Sequence, residues 1–526
     1  MRRGHPGKDS PRRGLRQPRS LWSGSNDRRC SGVETGMSRT TRAALGILGA
    51  GALLGVFADV LFYGRPLGVN VLLWTFAFVL ALAALLFASG APFHQGRHWM
   101  IAPLVAFSAA FLWRDSQLLV ATNLLALAGA MTLGALRRNG ARPQSAPLAE
   151  YAAGAVAAGF SAAAGAVRLI HRDVEWEDVG RSVRGERLTI VARGIGLGLP
   201  LVILFGGLFV AADAVFQDLV SNVVPAIDSV PQHLLFVSVA AWLTAGLLRD
   251  LVATREQERL ISPADLSARR VHFWLGPGEV SIALAGLNAL FLAFVAVQFR
   301  YLFGGDNVVL ASIDLTYAEY ARRGFFELVA VAVLVLLVLL ATDALVRRSP
   351  ARSTRLVRIL AGVLIALVFV VMASALQRMY LYQDVYGLTQ LRIYVTGVIL
   401  WLAVVFVWFA ATILRGHRRR FAVGAVIAGF VASAALNALN PDALIARTNL
   451  ERPRIDAVYL TGLSDDAVPV LLERLPTLPP GLRGVVATDL LARAEVDGDW
   501  RSFNLSRSHA HALLTEHRDE LVAFWR

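Results

Sequence analysis

Cysteine is almost absent from this chain. Its 526 residues hold one, Cys30, which excludes an intrachain disulfide, a CxxC zinc site and a cysteine nucleophile in the body of the chain. Lysine is as scarce, with Lys8 alone. Nearly every basic residue is therefore arginine, a bias that reads as high-GC codon usage more than as a phosphate site. Charged residues of both signs make up only 17%, against about 25% in a soluble domain. No Walker loop, GxGxxG, HExxH or GxSxG is present, so no signature points to nucleotide, zinc-protease or hydrolase chemistry. Gly96 interrupts the His94/His98 pair and no carboxylate follows it, while His509 and His511 read as a solvated helix face. The expectation is no metal, no cofactor and no identifiable catalytic residue.

Apolar residues are what the chain has, at 56%, with a mean hydropathy of +0.54. They fall in runs of about 17–25 residues, the length that crosses a bilayer as helix. Disorder, collagen, coiled coil and a disulfide scaffold are excluded as the main architecture. The net charge of +14 suggests nucleic acid at first sight, but its distribution argues otherwise. Residues 1–42 carry 11 basic against 3 acidic residues, and the remaining chain 41 against 35. Residues 1–36 lack periodicity and read as disordered. They are either upstream of a true start at Met37 or a basic arm lying on anionic lipid.

Eleven spans are predicted: 43–63, 67–88, 99–113, 116–136, 195–216, 233–249, 279–299, 324–346, 359–377, 393–414 and 421–439. A further Ala/Gly-rich stretch, 148–167, is weakly apolar. Arginine placement decides against counting it. With the N-terminus cytoplasmic and 148–167 uncrossed, the cytoplasmic loops hold 24 arginines and the opposite loops 7, as the positive-inside rule requires. Counting 148–167 as a span reverses the balance, to 9 against 22. The fold class is thus all-α and polytopic, with a cytoplasmic N-terminus and an outer C-terminus in the cell membrane. The expected division is a basic tail (1–42), a four-helix membrane segment (43–136), a cytoplasmic or re-entrant connector (137–194), a seven-helix membrane domain (195–439) and an extracytoplasmic helical region (440–526). In that last region Ser464 is expected to cap a helix bearing Asp465 and Asp466. Two more helices are expected over 484–494 and 506–525.

Ionisable residues inside spans are costly and so are functional candidates. Asp59 and Asp213 lie near the outer ends of two spans, within similar segments (52–62 and 206–216). The plainer alternative for each is a helix-end hydrogen bond at the interface. Asp343 is expected to pair with Arg347 or Arg348. The densest polar-aromatic sequences fall on the predicted outer face. Glu319, Arg323 and Glu327 form an i,i+4 ladder, with Arg322 alongside. Arg378, Tyr382 and Tyr386 stack at the same spacing near Asp384 and Arg392. Gly387 can end that helix and Thr389 cap the next. The plain reading is an aromatic belt with helix-end salt bridges; the functional one is a packed polar network that binds a ligand. Gly51 and Gly55 form a GxxxG, read as close helix packing rather than a dimer site.

These stretches carry a resemblance. YLFGG at 301–305, TYAEYARRGFFEL at 316–328, RMYLYQDVYGLTQLRIY at 378–394, NPDALIARTNL at 440–450, YLTGLSDDAVP at 459–469 and AADAVF at 211–216 resemble the uncharacterised bacterial membrane family called domain of unknown function 4173. The resemblance covers roughly residues 190–510. It implies a multi-pass membrane protein with a C-terminal non-membrane region, and it supplies no activity or site residues. The leading functional expectation is a non-enzymatic protein that binds a ligand, lipid or partner at the outer face, in envelope sensing or assembly. One alternative is a secondary transporter using Asp59 and Asp213. Another is a membrane-embedded transferase with Glu319, Glu327 or Asp384 as base. The expected partners are the bilayer and a lipid, small molecule or envelope protein, with no nucleic acid.

Overall fold

The computed structural model describes residues 38–90, 98–138, 148–176, 230–252, 276–303, 325–346, 351–495 and 498–525, with a few more at 146 and between 198 and 213. Every extended element among them is helical. Before the cap, eleven longer helices lie among the described residues: α1 (Arg39–Phe62), α2 (Val69–Ala88), α3 (His98–Trp113), α4 (Gln117–Arg138), α5 (Leu148–Arg168), α6 (Val230–Val252), α7 (Pro277–Phe303), α8 (Phe325–Val346), α9 (Ala351–Tyr386), α10 (Gln390–Thr412) and α11 (Phe421–Leu439). Among the described residues nine helices are long and apolar enough to cross a membrane: α1, α2, α4 and α6 to α11. The third predicted span is the shorter apolar helix α3. The fifth, 195–216, lies almost wholly outside the described residues. The protein is an all-α, multi-pass membrane protein.

Two lobes share this array. In the first, α1 to α6 close around Ile47, Leu54, Phe78, Leu82, Leu86 and Leu248. In the second, α7 to α10 close around Leu284, Leu339, Leu364, Val368, Phe406 and Phe409. Helix α11 packs on α10 from one lobe and on α4 from the other. The α4 contact is polar: Asn123 Nδ2 donates to Asn437 Oδ1 (3.2 Å) and Asn437 Nδ2 donates back to Asn123 Oδ1 (2.8 Å). Both asparagines are buried. Interhelical bonds of this kind contribute roughly 0.6 kcal/mol each in a membrane, so they fix register more than they add strength.

Small residues set the closest approach. A Cβ on Gly51 would lie 2.8 Å from Ala245 Cβ, and one on Gly55 2.7 Å from Ala241 Cβ. The GxxxG of α1 is therefore a seat for α6 within the chain.

The last membrane helix leads straight into a small helical cap. Asn440 is the only described non-glycine residue with positive φ, at 53°. It ends α11, and its side chain accepts from Ala443 N at the start of α12 (Pro441–Leu450). The cap continues through α13 (Ala457–Thr461), α14 (Val468–Arg474), α15 (Pro480–Ala494), α16 (Leu505–Glu516) and α17 (Arg518–Trp525). It has its own core of Ile445, Leu460, Leu471, Val486, Leu490 and Leu514. The predicted final helix is in fact two, α16 and α17, broken at His517. The region binds one end of the array, the capped end. At the other, arginine-rich end, Arg249 meets Asp173 at 2.5 Å and Arg418 meets Asp343 at 2.7 Å.

The stretch 148–173 begins and finishes at the arginine-rich end. Tyr151 packs with Leu136 of α4 and with Ala422 and Val423 at the start of α11. Asp173 reaches Arg249, and Glu175 N donates to Thr41 Oγ1 at the start of α1. The stretch is bent by 58° between Phe160 and Ala162.

Candidate functional site

The capped end is built around two buried carboxylates. Asp466 follows Ser464 and Asp465, a typical helix opening, but its side chain turns to the membrane helices. There it accepts from Asp115 N (2.9 Å), Ser116 N (3.2 Å), Ser506 Oγ (2.8 Å) and Arg114 Nη1 (3.4 Å). Its side chain is fully buried. Arg114 also donates to the Asn437 carbonyl (2.9 Å) and lies over the Trp113 ring. A buried carboxylate needs this many charge-assisted and neutral donors to offset its lost hydration.

Asp442, in the first turn of α12, is the second. It accepts from Gln390 Nε2 (2.9 Å), Ser464 N (3.1 Å) and Ser464 Oγ (2.6 Å). Ser464 therefore does not cap the helix that follows it. Its hydroxyl is drawn to Asp442 because that carboxylate is dry. Thr389 likewise makes no side-chain cap to α10. Gly387 does end α9, in a left-handed conformation with φ of 79°.

Around this core the cap grips the ends of α3, α9 and α10. Asn504 Nδ2 donates to the carbonyls of Phe111 (2.8 Å) and Arg114 (2.9 Å). Asn449 exchanges two bonds with the Leu388 backbone, at 2.8 and 2.9 Å. Arg452 donates to the carbonyls of Gln383 and Asp384, each at 2.6 Å, covering the exposed end of α9. Arg507 pairs with Asp115 at 3.2 Å and donates to the Leu67 carbonyl. Burial pushes the Asp115 carboxyl up to about 6; Arg507 opposes that rise, while Asp465 and Asp466 add to it.

The candidates proposed from the sequence are distributed unequally. Glu319, Arg322 and Arg323 lie outside the described residues, and Glu327 is exposed in the first turn of α8. The second set does come together. Tyr382 and Tyr386 rings lie 5.0 Å apart, and Arg392 sits over Tyr382 at 4.2 Å while donating to the Gly387 carbonyl. The stacking cation is thus Arg392, carried round by the turn at Gly387. Asp384 and Tyr386 face solvent beside it, and Arg378 is one turn before Tyr382 on α9.

Asp59 contacts His233, which no sequence motif singles out. His233 Nδ1 lies 2.8 Å from Asp59 Oδ2, and the Tyr63 ring lies against the imidazole, 3.8 Å away and tilted by 38°. Asp213 is exposed. Asp343 meets Arg418, from the turn before α11; the local partners expected for it, Arg347 and Arg348, lie outside the described residues. His233, Asp442, Asp466, Asn504 and Arg507 were all missed as site residues. Their partners are up to 440 positions away, and no local pattern marks such a pair. The one available signal was Arg114-Asp115 standing between two apolar runs.

A family model described as a domain of unknown function, DUF4153, matches residues 101–474. The chain belongs to this family. The match overturns the resemblance to domain of unknown function 4173. The DUF4153 match runs from α3 through α14, so it takes in Asp115, Asp442 and Asp466 but stops before Asn504 and Arg507. No curated protein and no solved structure matches the chain.

Proposed function

We propose that this DUF4153 protein is a non-enzymatic binding protein of the cell membrane. Its capped end faces outward and engages a ligand, lipid or protein partner in envelope sensing or assembly. The observation that carries the reading is the edge made by Tyr382, Asp384, Tyr386 and Arg392. These side chains are grouped at an accessible rim while Arg452 and Asn449 hold their backbone from behind. A guanidinium over an aromatic face, next to an exposed carboxylate and a second ring, is the composition of a recognition surface. The buried Asp442 and Asp466 have a different task. Their oxygens are taken up by donors, and they fasten the surface to the helices.

The outward orientation rests on the arginine balance. It is supported by the 148–173 stretch, whose two ends share one end of the array. A reporter active only outside the cytoplasm, fused after Arg526, is expected to be active, and silence overturns the orientation. A photo-crosslinking residue at Tyr386 is then expected to give a discrete adduct in cells that Arg392→Ala abolishes without loss of inserted protein. An adduct indifferent to Arg392→Ala removes the rim as the binding surface.

The Asp59–His233 pair favours a second reading, a proton-coupled transporter. A carboxylate and an imidazole in contact at 2.8 Å near the end of a span are a pair between which a proton can pass. That reading requires Asp59→Asn to abolish flux in protein that still inserts.

A further inference from the structure

The segment 499–505 is clamped to the helix ends and yet shows large apolar side chains to the outside. Arg501 donates to the Val60 carbonyl at the end of α1 (3.0 Å) and to Asp499 (2.6 Å), and Arg65 reaches Asp499 from the α1–α2 turn (3.1 Å). The Phe503 carbonyl accepts from Val69 N at the start of α2 (2.8 Å). Gly68 leaves no room between them, since a Cβ there would lie 2.5 Å from the Phe503 oxygen. Asn504 is tied to α3 as described above. The backbone is therefore held level with the ends of three membrane helices. Trp500 is nevertheless 67% exposed, Leu505 49% and Phe503 41%.

These side chains continue a surface that is already apolar. On α1, Leu53 (74%), Val56 (53%) and Val60 (48%) are exposed, as the lipid-facing side of a membrane helix should be. Arg501 binds the carbonyl of the last of these. Indole rings favour the boundary between acyl chains and headgroups, where the ring is half dry and the N–H finds an acceptor. Arginines alongside can extend toward lipid phosphates.

We infer that the 499–505 segment is an interfacial anchor. Trp500 and Phe503 enter the headgroup–acyl boundary of the bilayer and fix the height of the cap over the membrane. The occupant of this surface is lipid. The inference needs only that the helices span a bilayer, so it survives failure of the binding reading and of the outward orientation.

The test uses the full chain with Cys30→Ser, reconstituted in nanodiscs. A fluorophore is attached at Trp500→Cys, at Leu53→Cys or at Val458→Cys. Val458 is 77% exposed on the cap and serves as the aqueous control. Spin-labelled lipids then report depth. The Trp500 position is expected to be quenched at least threefold more by headgroup-labelled lipid than by lipid labelled deep in the chain. Leu53 should show the reverse, and Val458 should respond to neither. A Trp500 position that behaves like Val458, or that is shielded from lipid and aqueous quenchers alike, overturns the anchor. All variants are compared as monodisperse protein with unchanged thermal unfolding, so misfolding cannot imitate either result.

Discussion

At the residue scale the chemistry of the capped end is set by burial. Asp466 is tolerable inside because Arg114, two backbone amides and the Ser506 hydroxyl all point at it. Asp115 is less well served. It has Arg507, but Asp465 and Asp466 are close, and burial raises its carboxyl to about 6 from 3.8. A carboxyl raised in the folded state favours folding most when protonated. Its contribution is fully present below about pH 4 and is lost as pH rises through about 6. Asp499 is shifted the other way, down to about 2 by its bonds to Arg501, so its contribution disappears only below about pH 4. The two windows do not overlap. Between pH 7 and 4.5 the parent protein should gain thermal stability relative to Asp115→Asn. A difference that stays flat over that range refutes the buried carboxyl. None of this was visible in the sequence, where Asp115 was one loop residue among several. Its neighbours Asp465 and Asp466 are about 350 residues away in the chain, and only folding sets the distance that determines its charge.

At the element scale, helix position and helix contact were legible to different degrees. Each apolar run became a helix wherever it is described, because an uninterrupted apolar run has no other way to satisfy its backbone in lipid. The GxxxG of α1 marks a packing seat by its spacing, and α6 fills it. The partner could not be named from the sequence, since any span with small residues would serve. The contact gives a sharp comparison. Gly55→Ala sets a new Cβ 2.7 Å from both Ala241 Cβ and the Val237 carbonyl, which forces α1 and α6 apart. Overpacking of this kind costs about 1–3 kcal/mol, so the melting temperature should fall. Gly49→Ala, with nothing within 4 Å of the added atom, should be neutral or slightly stabilising. Equal effects at the two positions would show that α1 and α6 do not meet there. Helix caps depend on more than residue type. Ser464 and Thr389 fit cap positions by type, but a serine beside a dry carboxylate hydrogen-bonds to that carboxylate.

At the scale of the whole molecule, two helical lobes meet at α11 and a cap closes one end. The cap touches the first lobe through Asp466, Asn504 and Arg507, and the second through Asn449 and Arg452. It therefore bridges the two lobes at that end. The stretch 148–173 determines the parity of everything after it. With both its ends at the arginine-rich end, a reporter active only outside the cytoplasm should be silent when fused after Arg142 and active when fused after Arg526. Activity at both positions would mean that the stretch crosses the membrane.

Composition and periodicity alone determined that this is a multi-pass helical protein and, among the described residues, where its apolar helices lie. Hydrophobic length and charge are properties of short segments, and a bilayer acts on each segment separately. The tertiary structure alone decided that Asp466 fastens the cap, that Arg392 supplies the cation over Tyr382, and that Asp59 meets His233. Each of these depends on a distance between segments far apart in the chain, and burial at such contacts gives an ordinary aspartate or arginine its role.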